Sequence, residues 1–369
     1  MKILAEYSVP YLRGVIEQLG EVTYLPSEEF SPETVADKDW LIIRSITKCT
    51  PQLLSGSAVK LITTATIGYD HIDTDYCRAH NIAWFNAPGC NSEAVGQWFG
   101  SICASLEVHE GFEPKGKVLG IVGVGHVGKV IERYARALGM QVLRNDPPRA
   151  EAEGDSGFVS PGEIISSCDL ITFHTPLTRG GKYPTYHLCN DELVRGMRRN
   201  PLVINACRGA VTDTSALLSG LEKGVIRDVI LDCWEGEPEV SPSLLTKALR
   251  ATPHIAGFSA DGKANGARTC VENGIRFFSL PAIDLSSMTP PPPEEPIIEL
   301  EQWRDHRIAN ALLHTLDLTA VEQKLRRDPD TFESLRRGYS LPREPHAYVV
   351  RGYTPEEGMI LKKIGFRLG

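Results

Sequence analysis

Residues 117–146 read KVLGIVGVGHVGKVIERYARALGMQVLRND, and this stretch has the pattern of a strand, a glycine-rich turn and a helix. Val118–Val122 is a short apolar run of the kind that forms a buried parallel strand. We expect Gly123 to permit a tight turn, Gly125 to admit a pyrophosphate close to the backbone, and Gly128 to let the helix pack on the sheet. The start of the helix would offer unpaired N–H groups to phosphates. This order is typical of a dinucleotide-binding domain.

An acid closes the second apolar run of the stretch. Asp146 lies eighteen residues after Gly128, close to the spacing of the acid that binds an adenosine ribose. Its charge would repel a 2′-phosphate, so the sequence favours NAD over NADP, although Arg149 would weaken this preference. A glycine turn alone is common for steric reasons. Here the glycine turn is followed by a helix, a second strand and an acid at the expected spacing. This combination favours cofactor binding over a purely steric role for the glycines.

Composition and charge set broad limits. A chain of 369 residues predicts two or three domains, and its hydrophobic content of 42% is ordinary for a globular protein. The formal net charge of -8 argues against general binding to nucleic acid or to anionic membranes. No apolar run is long enough to span a bilayer, Met1–Pro10 lacks the regions of a signal peptide, and the nine cysteines lack metal-ligand spacing. We therefore expect a cytoplasmic protein without a metal centre.

The order of strand-like and helical segments predicts an α/β fold with parallel sheets. The first 92 residues contain four short strand-like runs separated by helical or turn segments, which indicates a small α/β unit before the dinucleotide-binding pattern begins. Later strand candidates extend the nucleotide-binding sheet. The predicted strands are Lys2–Ala5, Trp40–Arg44, Leu61–Thr64, Ile82–Phe85, Leu170–His174, Leu202–Asn205 and Val229–Asp232.

Connecting segments divide the chain further. A long helix predicted over Ser92–Glu107 would lead into the nucleotide-binding domain. The string GFSADGKANGARTCVENGIRFF indicates a glycine-interrupted segment followed by a helix, which would return to the first unit. Four consecutive prolines predict a stiff linker. The C-terminal region is too small to bury a large core alone, so we expect it to dock on another subunit. The predicted domains are residues 1–92 with 258–284, residues 93–257, the linker 285–296 and residues 297–369.

Three polar residues follow predicted strands at the edge where open α/β sheets bind ligands. A guanidinium can hold a carboxylate through two parallel hydrogen bonds, so we interpret Arg208 as the clamp for a substrate carboxylate. An imidazole can take a hydroxyl proton while hydride leaves the same carbon, and a carboxylate on its far nitrogen fixes its orientation. This assigns His254 as the acid/base and Glu237 as its orienting group. Each residue alone would be interpreted as structural, but their shared position favours catalysis.

The strings GVGHVG, HTPLT, INACRGAVTD, LDCWEGEP and TPHIAG resemble the D-isomer-specific 2-hydroxyacid dehydrogenases over roughly residues 1–280. The resemblance implies a Rossmann-type NAD-binding domain, a smaller flavodoxin-like α/β domain that binds substrate as a lid, and NAD-dependent oxidation of a 2-hydroxyacid. Shorter strings, among them LIIRSITK, ATIGYDHID, NDPPRA and AGFSADGK, resemble one subfamily, as does the C-terminal extension. That subfamily resemblance implies oxidation of 4-phospho-D-erythronate to (R)-3-hydroxy-2-oxo-4-phosphooxybutanoate in pyridoxal 5′-phosphate biosynthesis, by a homodimer joined through its C-terminal domain.

The same resemblance implies individual contacts. Ser45 and Thr66 would touch substrate together with Arg208, whereas Phe258 stands where we expect a tyrosine, so a hydroxyl contact to substrate would be absent. Cys207, taken alone, has the character of a small packing residue, but its place beside the clamp puts it in the implied cofactor set. The implied cofactor contacts are Gly123, Gly125, His126, Val127, Gly128, Asp146, Thr175, Cys207, Asp232 and Gly257.

A phosphorylated substrate also has some support from the residues themselves. Arg44, Ser45, Thr47 and Lys48 place two cations and two hydroxyls just after a predicted strand, a mixture suited to a phosphate. The alternative is that the two cations form a solvated strand end. We hypothesise that this cluster binds the substrate phosphate.

Two other functions remain open at this point. One is a different 2-hydroxyacid dehydrogenase, of the phosphoglycerate or glyoxylate/hydroxypyruvate type, because the catalytic trio would recognise only the shared hydroxyacid group. The other is a protein that senses NAD(H), as the related C-terminal-binding corepressors do. The presence of Arg208, Glu237 and His254 together argues against the second.

Overall fold

The computed structural model describes residues 1–154 and 157–369. The strands are β1 Lys2–Glu6, β2 Glu21–Leu25, β3 Trp40–Ile43, β4 Leu61–Thr64, β5 Ala83–Phe85, β6 Val118–Val122, β7 Gln141–Asn145, β8 Leu170–Phe173, β9 Leu202–Asn205, β10 Asp228–Leu231, β11 Arg250–Ala251, β12 Ile297–Glu299, β13 Val349–Arg351 and β14 Arg367–Leu368. The helices are α1 Pro32–Val35, α2 Pro51–Leu54, α3 Thr74–Ala79, α4 Ser92–Glu110, α5 His126–Ala137, α6 Pro147–Glu153, α7 Pro161–Ser167, α8 Asp191–Gly196, α9 Thr214–Glu222, α10 Pro242–Lys247, α11 Ala260–Phe277, α12 Arg307–Thr315, α13 Thr319–Arg327, α14 Phe332–Arg337 and α15 Pro355–Ile364.

The chain forms two compact units, each made from two separate segments. Unit 1 contains Met1–Ser92 and Phe258–Pro292, and unit 2 contains Glu93–Gly257 and Pro293–Gly369. The last crossing between the units therefore falls within the run of four prolines. In the part of the chain that the structure describes, no helix is both long and apolar enough to cross a bilayer.

Unit 1 is built on a parallel sheet with the strand order β2-β1-β3-β4-β5. The central strands β3 and β4 are buried along their whole length, as expected for parallel strands covered on both faces. Helix α11 packs against β4, and its glycines allow a close approach: a Cβ at Gly266 would lie 2.8 Å from the carbonyl oxygen of Ala65. The returning helix begins at Ala260, so it already contains most of the glycine-interrupted segment that the sequence placed before it.

Unit 2 contains a six-stranded parallel sheet with the order β11-β10-β9-β8-β6-β7, the arrangement of a Rossmann-type domain. Its strands β6 and β9 have the predicted bounds, whereas β8 and β10 end one residue earlier than expected. His174 and Asp232 therefore lie just beyond their strands. Since all six strands are parallel, the segments that follow them emerge at one edge of the sheet.

The C-terminal region belongs to unit 2 and adds a three-stranded parallel sheet with the order β12-β13-β14. Two of its side chains, Leu325 and Phe332, are fully buried in the same apolar cluster as Trp234 and Leu245 of the nucleotide-binding part. The side chain of Gln97 in α4 also donates a hydrogen bond to the carbonyl of Arg343, at 2.9 Å. This region thus completes a core within its own chain, and docking on another subunit stays a prediction.

Candidate active site

The glycine loop between β6 and α5 has three glycines with three different surroundings. Gly123 has a φ of +90°, and a Cβ there would lie 2.7 Å from the carbonyl oxygen of His174. A Cβ at Gly128 would clash with the carbonyl oxygen of Gly123. At Gly125, by contrast, a Cβ would meet open space. Two glycines therefore shape the turn, and the third keeps the backbone at the start of α5 accessible to a ligand.

Asp146 follows β7 and lies directly against the glycine loop. One carboxylate oxygen accepts a hydrogen bond from the N–H of Val124 at 2.8 Å, and the other accepts one from the N–H of Arg149 at 3.1 Å, which caps α6. The guanidinium of Arg149 donates to the carbonyl of Val124 and forms a two-pronged ion pair with Glu153. Asp146 and Arg149 are thus both held by hydrogen bonds at the same end of the glycine loop.

Other residues implied as cofactor contacts lie along the same edge of the sheet. Thr175 follows β8, and its hydroxyl oxygen is buried without a hydrogen-bond partner among the described residues. A buried hydroxyl usually has a hydrogen-bond partner, so the Thr175 hydroxyl fits a site where a bound ligand supplies that partner. His126 is exposed at the start of α5, and Val127 and Gly257 are half-buried. The accessible glycine and the unpartnered hydroxyl both fit a bound dinucleotide.

Arg208 is held in a loop that starts at the end of β9. The side chain of Asn205 donates to the carbonyl of Arg208 at 2.9 Å and accepts from the N–H of Cys207 at 3.1 Å. The guanidinium of Arg208 in turn donates to the carbonyl of Cys207 at 2.8 Å. A Cβ at Gly209 would clash with the carbonyl of Trp234, so this loop packs directly on the one that carries Glu237.

Glu237 and His254 form the pair that the sequence predicts. Oε1 of Glu237 lies 2.5 Å from Nδ1 of His254, and its Oε2 accepts from the N–H of Trp234 at 3.0 Å. Burial alone would raise the pKa of Glu237, but the hydrogen bond and charge of His254 outweigh it, with a smaller effect from Arg336, and that pKa lies below its ordinary value. Glu237 is therefore ionised at neutral pH, and Nε2 is the histidine nitrogen left for proton exchange.

Asp232 lies under the histidine loop. Its carboxylate accepts from the hydroxyl of Thr252 at 2.6 Å and from the N–H groups of Ile255 and Ala256 at 2.8 and 3.0 Å. Its backbone carbonyl accepts from the N–H of His254 at 2.8 Å. Burial raises the pKa of Asp232 against the opposing effect of these partners. Besides its implied cofactor contact, this residue therefore fixes the backbone that carries the histidine, a role that the sequence did not reveal.

The cluster after β3 in unit 1 is organised by a buried acid. Oε2 of Glu6 accepts from the N–H of Arg44 at 2.8 Å and from the hydroxyl of Thr47 at 2.7 Å. Because the Thr47 hydroxyl is donated to Glu6, it supports the loop and is not one of the groups that face a phosphate. Ser45 and Lys48 are exposed, and Arg44 is half-buried.

The remaining substrate contacts implied by the sequence also lie in unit 1. The Thr66 hydroxyl, just after β4, donates to the carbonyl of Gly68 at 2.8 Å and lies 2.7 Å from the hydroxyl of Thr64. Phe258 is half-buried, and the ammonium of Lys263 lies 5.3 Å from the centre of its ring. Lys263 was missed at the sequence level, although it closes the string AGFSADGK.

A second histidine–carboxylate pair lies next to the catalytic loops. Nε2 of His187 is hydrogen-bonded to Glu235, whose other oxygen accepts from the N–H of Thr214 at 3.0 Å at the start of α9. The backbone N–H of His187 donates to the carbonyl of Ala210 at 2.8 Å. These bonds join the segment of His187 to the loops that carry Arg208 and Glu237, which is a structural role. Within residues 1–154 and 157–369, no group of three potential ligands is placed to hold a metal ion.

Comparisons with known proteins identify the family of the NAD-binding part of the chain. The family model described as "D-isomer specific 2-hydroxyacid dehydrogenase, NAD binding domain" matches residues 91–256. Among solved structures, the NAD+-bound 3-phosphoglycerate dehydrogenase of Entamoeba histolytica is 25% identical with a TM-score of 0.64, over 76% of this chain and 95% of that one. A D-lactate dehydrogenase of Aquifex aeolicus, complexed with NAD and lactic acid, is 25% identical with a TM-score of 0.61, over 75% and 95%.

Curated relatives extend the similarity to the whole chain. The erythronate-4-phosphate dehydrogenase of Porphyromonas gingivalis is 51% identical over 99% of this chain and 100% of its own length. The protein of that name from Escherichia coli O9:H4 is 38% identical over 99% and 98%. The resemblance inferred from the motifs, the Rossmann-type fold and NAD as the cofactor are thereby confirmed. The chain therefore belongs to the erythronate-4-phosphate dehydrogenases, within the D-isomer-specific 2-hydroxyacid dehydrogenase family.

Proposed function

We propose that this protein oxidises 4-phospho-D-erythronate to (R)-3-hydroxy-2-oxo-4-phosphooxybutanoate, in the biosynthesis of pyridoxal 5′-phosphate. The observation that carries the proposal is the His254–Glu237 pair. Nδ1 of His254 lies 2.5 Å from Oε1 of Glu237, and the loop of Glu237 packs against the one that carries Arg208. Relatives named erythronate-4-phosphate dehydrogenase over nearly their full length support this choice of substrate within the family.

Each catalytic residue has one step in the proposed reaction. Arg208 binds the substrate carboxylate and fixes the carbon that carries the 2-hydroxyl group. His254 accepts the proton of that hydroxyl on Nε2, while Glu237 holds Nδ1 and stabilises the imidazolium that forms. NAD, when bound, supplies the acceptor for the hydride that leaves the same carbon. The hydroxyl proton goes to the histidine, so the substrate leaves as the 2-oxo acid.

We assign the cofactor to the edge of the sheet in unit 2. The open backbone at Gly125 and the start of α5 would bind the pyrophosphate, and Asp146 would accept hydrogen bonds from the adenosine ribose. The buried hydroxyl of Thr175 would gain a partner. The remaining proposed cofactor contacts are Gly123, His126, Val127, Gly128, Cys207, Asp232 and Gly257.

We assign the substrate phosphate to the loop that Glu6 organises in unit 1. Arg44 supplies charge and Ser45 a hydroxyl there, with Thr66 and Phe258 as further substrate contacts. Phe258 brings no hydroxyl, so recognition of the phosphate depends more on cations than it would with a tyrosine at this position.

A panel of substrates tests this function. NADH formation would be followed at 340 nm with 4-phospho-D-erythronate, unphosphorylated D-erythronate, 3-phospho-D-glycerate and glycolate, each with NAD and with NADP. We expect the highest kcat/KM for 4-phospho-D-erythronate with NAD. A higher value for 3-phospho-D-glycerate or glycolate would reject the proposed substrate, and binding of NAD without turnover of any hydroxyacid would support a sensor protein.

We further propose that the protein is a cytoplasmic homodimer joined through its C-terminal region. In that region Ile297, Met359 and Leu368 are exposed apolar side chains, which fits a surface covered by a second copy. Among the described residues, which include all nine cysteines, there is no disulfide, and this fits a reducing compartment. Light scattering on Met359→Glu would test the interface, since a charge there should shift the dimer towards monomer. An unchanged dimer would contradict this surface.

A further inference from the structure

Lys263 has an environment that is unusual for a lysine. It lies in the first turn of α11 with a half-buried side chain, and its ammonium lies 5.3 Å from the centre of the Phe258 ring. Across residues 1–154 and 157–369, no carboxylate lies within ion-pair distance of this ammonium. The contact with an aromatic face offsets only part of the free energy lost when an ammonium leaves water.

The fold places Lys263 on the same side of the unit 1 sheet as the loop after β3. Helix α11 packs on the end of β4, where Gly266 approaches the carbonyl of Ala65. Ala65 in turn donates its N–H to the carbonyl of Ile43, the last residue of β3, at 2.9 Å. The first turns of α11 therefore adjoin the positions where Arg44 and Thr66 leave the sheet.

Arg44 and Lys263 bring two positive charges close together in this part of unit 1. Burial, followed by the nearby charge of Arg44, lowers the pKa of Lys263 to about 8. The N-terminus of α11, capped by Ser259, adds a partial positive charge. An anion that contacts both cations would offset their repulsion and the loss of hydration together. A dianionic phosphate monoester has the charge and the acceptor oxygens to do so.

We propose that Lys263, together with Arg44, binds the phosphate group of the substrate and thereby selects phosphorylated over unphosphorylated hydroxyacids. This inference rests on the proposed function and deepens it, because it names the residue that makes the phosphate a requirement. Thr47, which the sequence placed in this cluster, is engaged by Glu6, and Lys263 supplies the further charged donor. The Phe258 ring orients the lysine stem and needs no hydroxyl for that role.

Kinetics of matched variants test the proposal. Lys263→Met keeps the length of the side chain and removes its charge, and Lys263→Arg keeps the charge. We expect Lys263→Met to raise KM for 4-phospho-D-erythronate by roughly 10- to 100-fold, the typical effect of one hydrogen bond to a charged group, with an unchanged KM for D-erythronate. Lys263→Arg should retain most of the affinity. The control is Lys60→Met, which removes an exposed cation paired with Asp39 before β4 and should leave both KM values unchanged.

An equal loss on both substrates, or an unchanged KM for the phosphorylated one, would overturn the proposal. A second measurement does not depend on turnover: the pKa of Lys263 would be followed by NMR of protein with labelled lysine side chains, with and without inorganic phosphate. We expect phosphate to raise that pKa, because an anion favours the ammonium form, and a pKa that phosphate leaves unchanged would reject the site. If the wild type does not oxidise 4-phospho-D-erythronate, the proposed function fails, while the NMR titration still decides whether Lys263 binds phosphate.

Discussion

The backbone of His254 adopts a left-handed conformation, with a φ of +54°. A residue with a side chain adopts this conformation at a cost of about 1–2 kcal/mol, so the surroundings must hold it there. They do so through Asp232, whose carbonyl accepts from His254 and whose carboxylate accepts from the next two N–H groups. The strained backbone is thus fixed by a buried carboxylate and is ready to present the imidazole to Glu237.

The clamp role of Arg208 gives the first prediction. Arg208→Lys keeps the charge but removes the two parallel donors, so kcat/KM for 4-phospho-D-erythronate should fall roughly 100-fold, about 2.7 kcal/mol. The dissociation constant of NAD, measured by fluorescence titration, should hardly change and serves as the control. Turnover close to that of the wild type would show that the carboxylate is bound elsewhere.

The second prediction concerns cofactor choice. Arg149 lies at the glycine loop, where we propose that the adenosine binds, but it is paired with Glu153, and Asp146 would repel a 2′-phosphate. In the double variant Asp146→Ser/Glu153→Gln, serine keeps a cap for α6 and the guanidinium is released. The ratio of NADP to NAD affinity should rise about 10- to 100-fold, as measured by calorimetry. Glu153→Gln alone should leave NAD affinity unchanged, and a double variant without gain for NADP would refute the idea.

At the scale of elements, buried strands were the easiest to predict. The predicted bounds of β4, β6 and β9 agree with the structure, because strands buried on both faces appear in the sequence as short runs rich in apolar and β-branched residues. The edge strand β2 was missed because its residues Glu21–Leu25 are partly exposed and its sequence, EVTYL, is not a continuous apolar run. Helix α13 was missed because it buries only Val321 and Leu325 in an otherwise charged sequence.

Part of the candidate site could be predicted from the sequence, and the rest could not because it depends on contacts between distant segments. Arg208, Glu237 and His254 follow consecutive strands, so their position in the chain reveals their position on the sheet. Lys263 lies on a helix that returns to unit 1 after the whole nucleotide-binding domain, and Glu6 is buried by a loop far along the chain. Contacts of this kind depend on packing between distant segments, which periodicity does not show.

The loop after β10 gives a prediction for pH. The pKa of Glu237 lies below its ordinary value of 4.5, so its pairing stabilises the fold fully above that pH and is lost as the pH falls through the lowered pKa. Wild type should therefore be more stable than Glu237→Gln at pH 7, and the difference should shrink below pH 4.5. Urea unfolding across this range measures it. A difference that stays constant in acid would show that the stabilisation does not depend on ionised Glu237.

At the scale of the molecule, the C-terminal region belongs to unit 2 and contributes side chains to its core. Besides the buried Leu325 and Phe332, Arg326 in α13 donates to the carbonyls of Leu245 and Ala248 at the end of α10, each at 2.6 Å. Arg133 in α5 likewise donates to the carbonyls of Lys363 and Ile364, at 2.8 and 3.1 Å. Polar contacts thus fix the region at α13 and again near its C-terminus.

Removing one buried ring tests this architecture. Phe332→Ala should destabilise unit 2 by about 3–5 kcal/mol, since Phe332 is 1% exposed in the apolar cluster with Trp234. Thermal unfolding followed by tryptophan fluorescence would record the lower Tm. Gln323→Ala, at an exposed position of α13 in the same region, is the control and should change Tm little. Equal Tm values for wild type and Phe332→Ala would show that the region contributes nothing to the core.

The interleaving of the two units has a consequence for protein synthesis. The ribosome makes β1–β5 first, but the helix that covers their sheet, α11, appears only after residues 93–257 have been translated. At typical elongation rates that interval is on the order of ten to thirty seconds. During this interval the nascent chain lacks the helix that covers the apolar face of β3 and β4. The aromatic side chains that the C-terminal region buries in unit 2 are synthesised later still. A holdase that engages early polypeptides should therefore improve the yield of this enzyme more than one that acts after release.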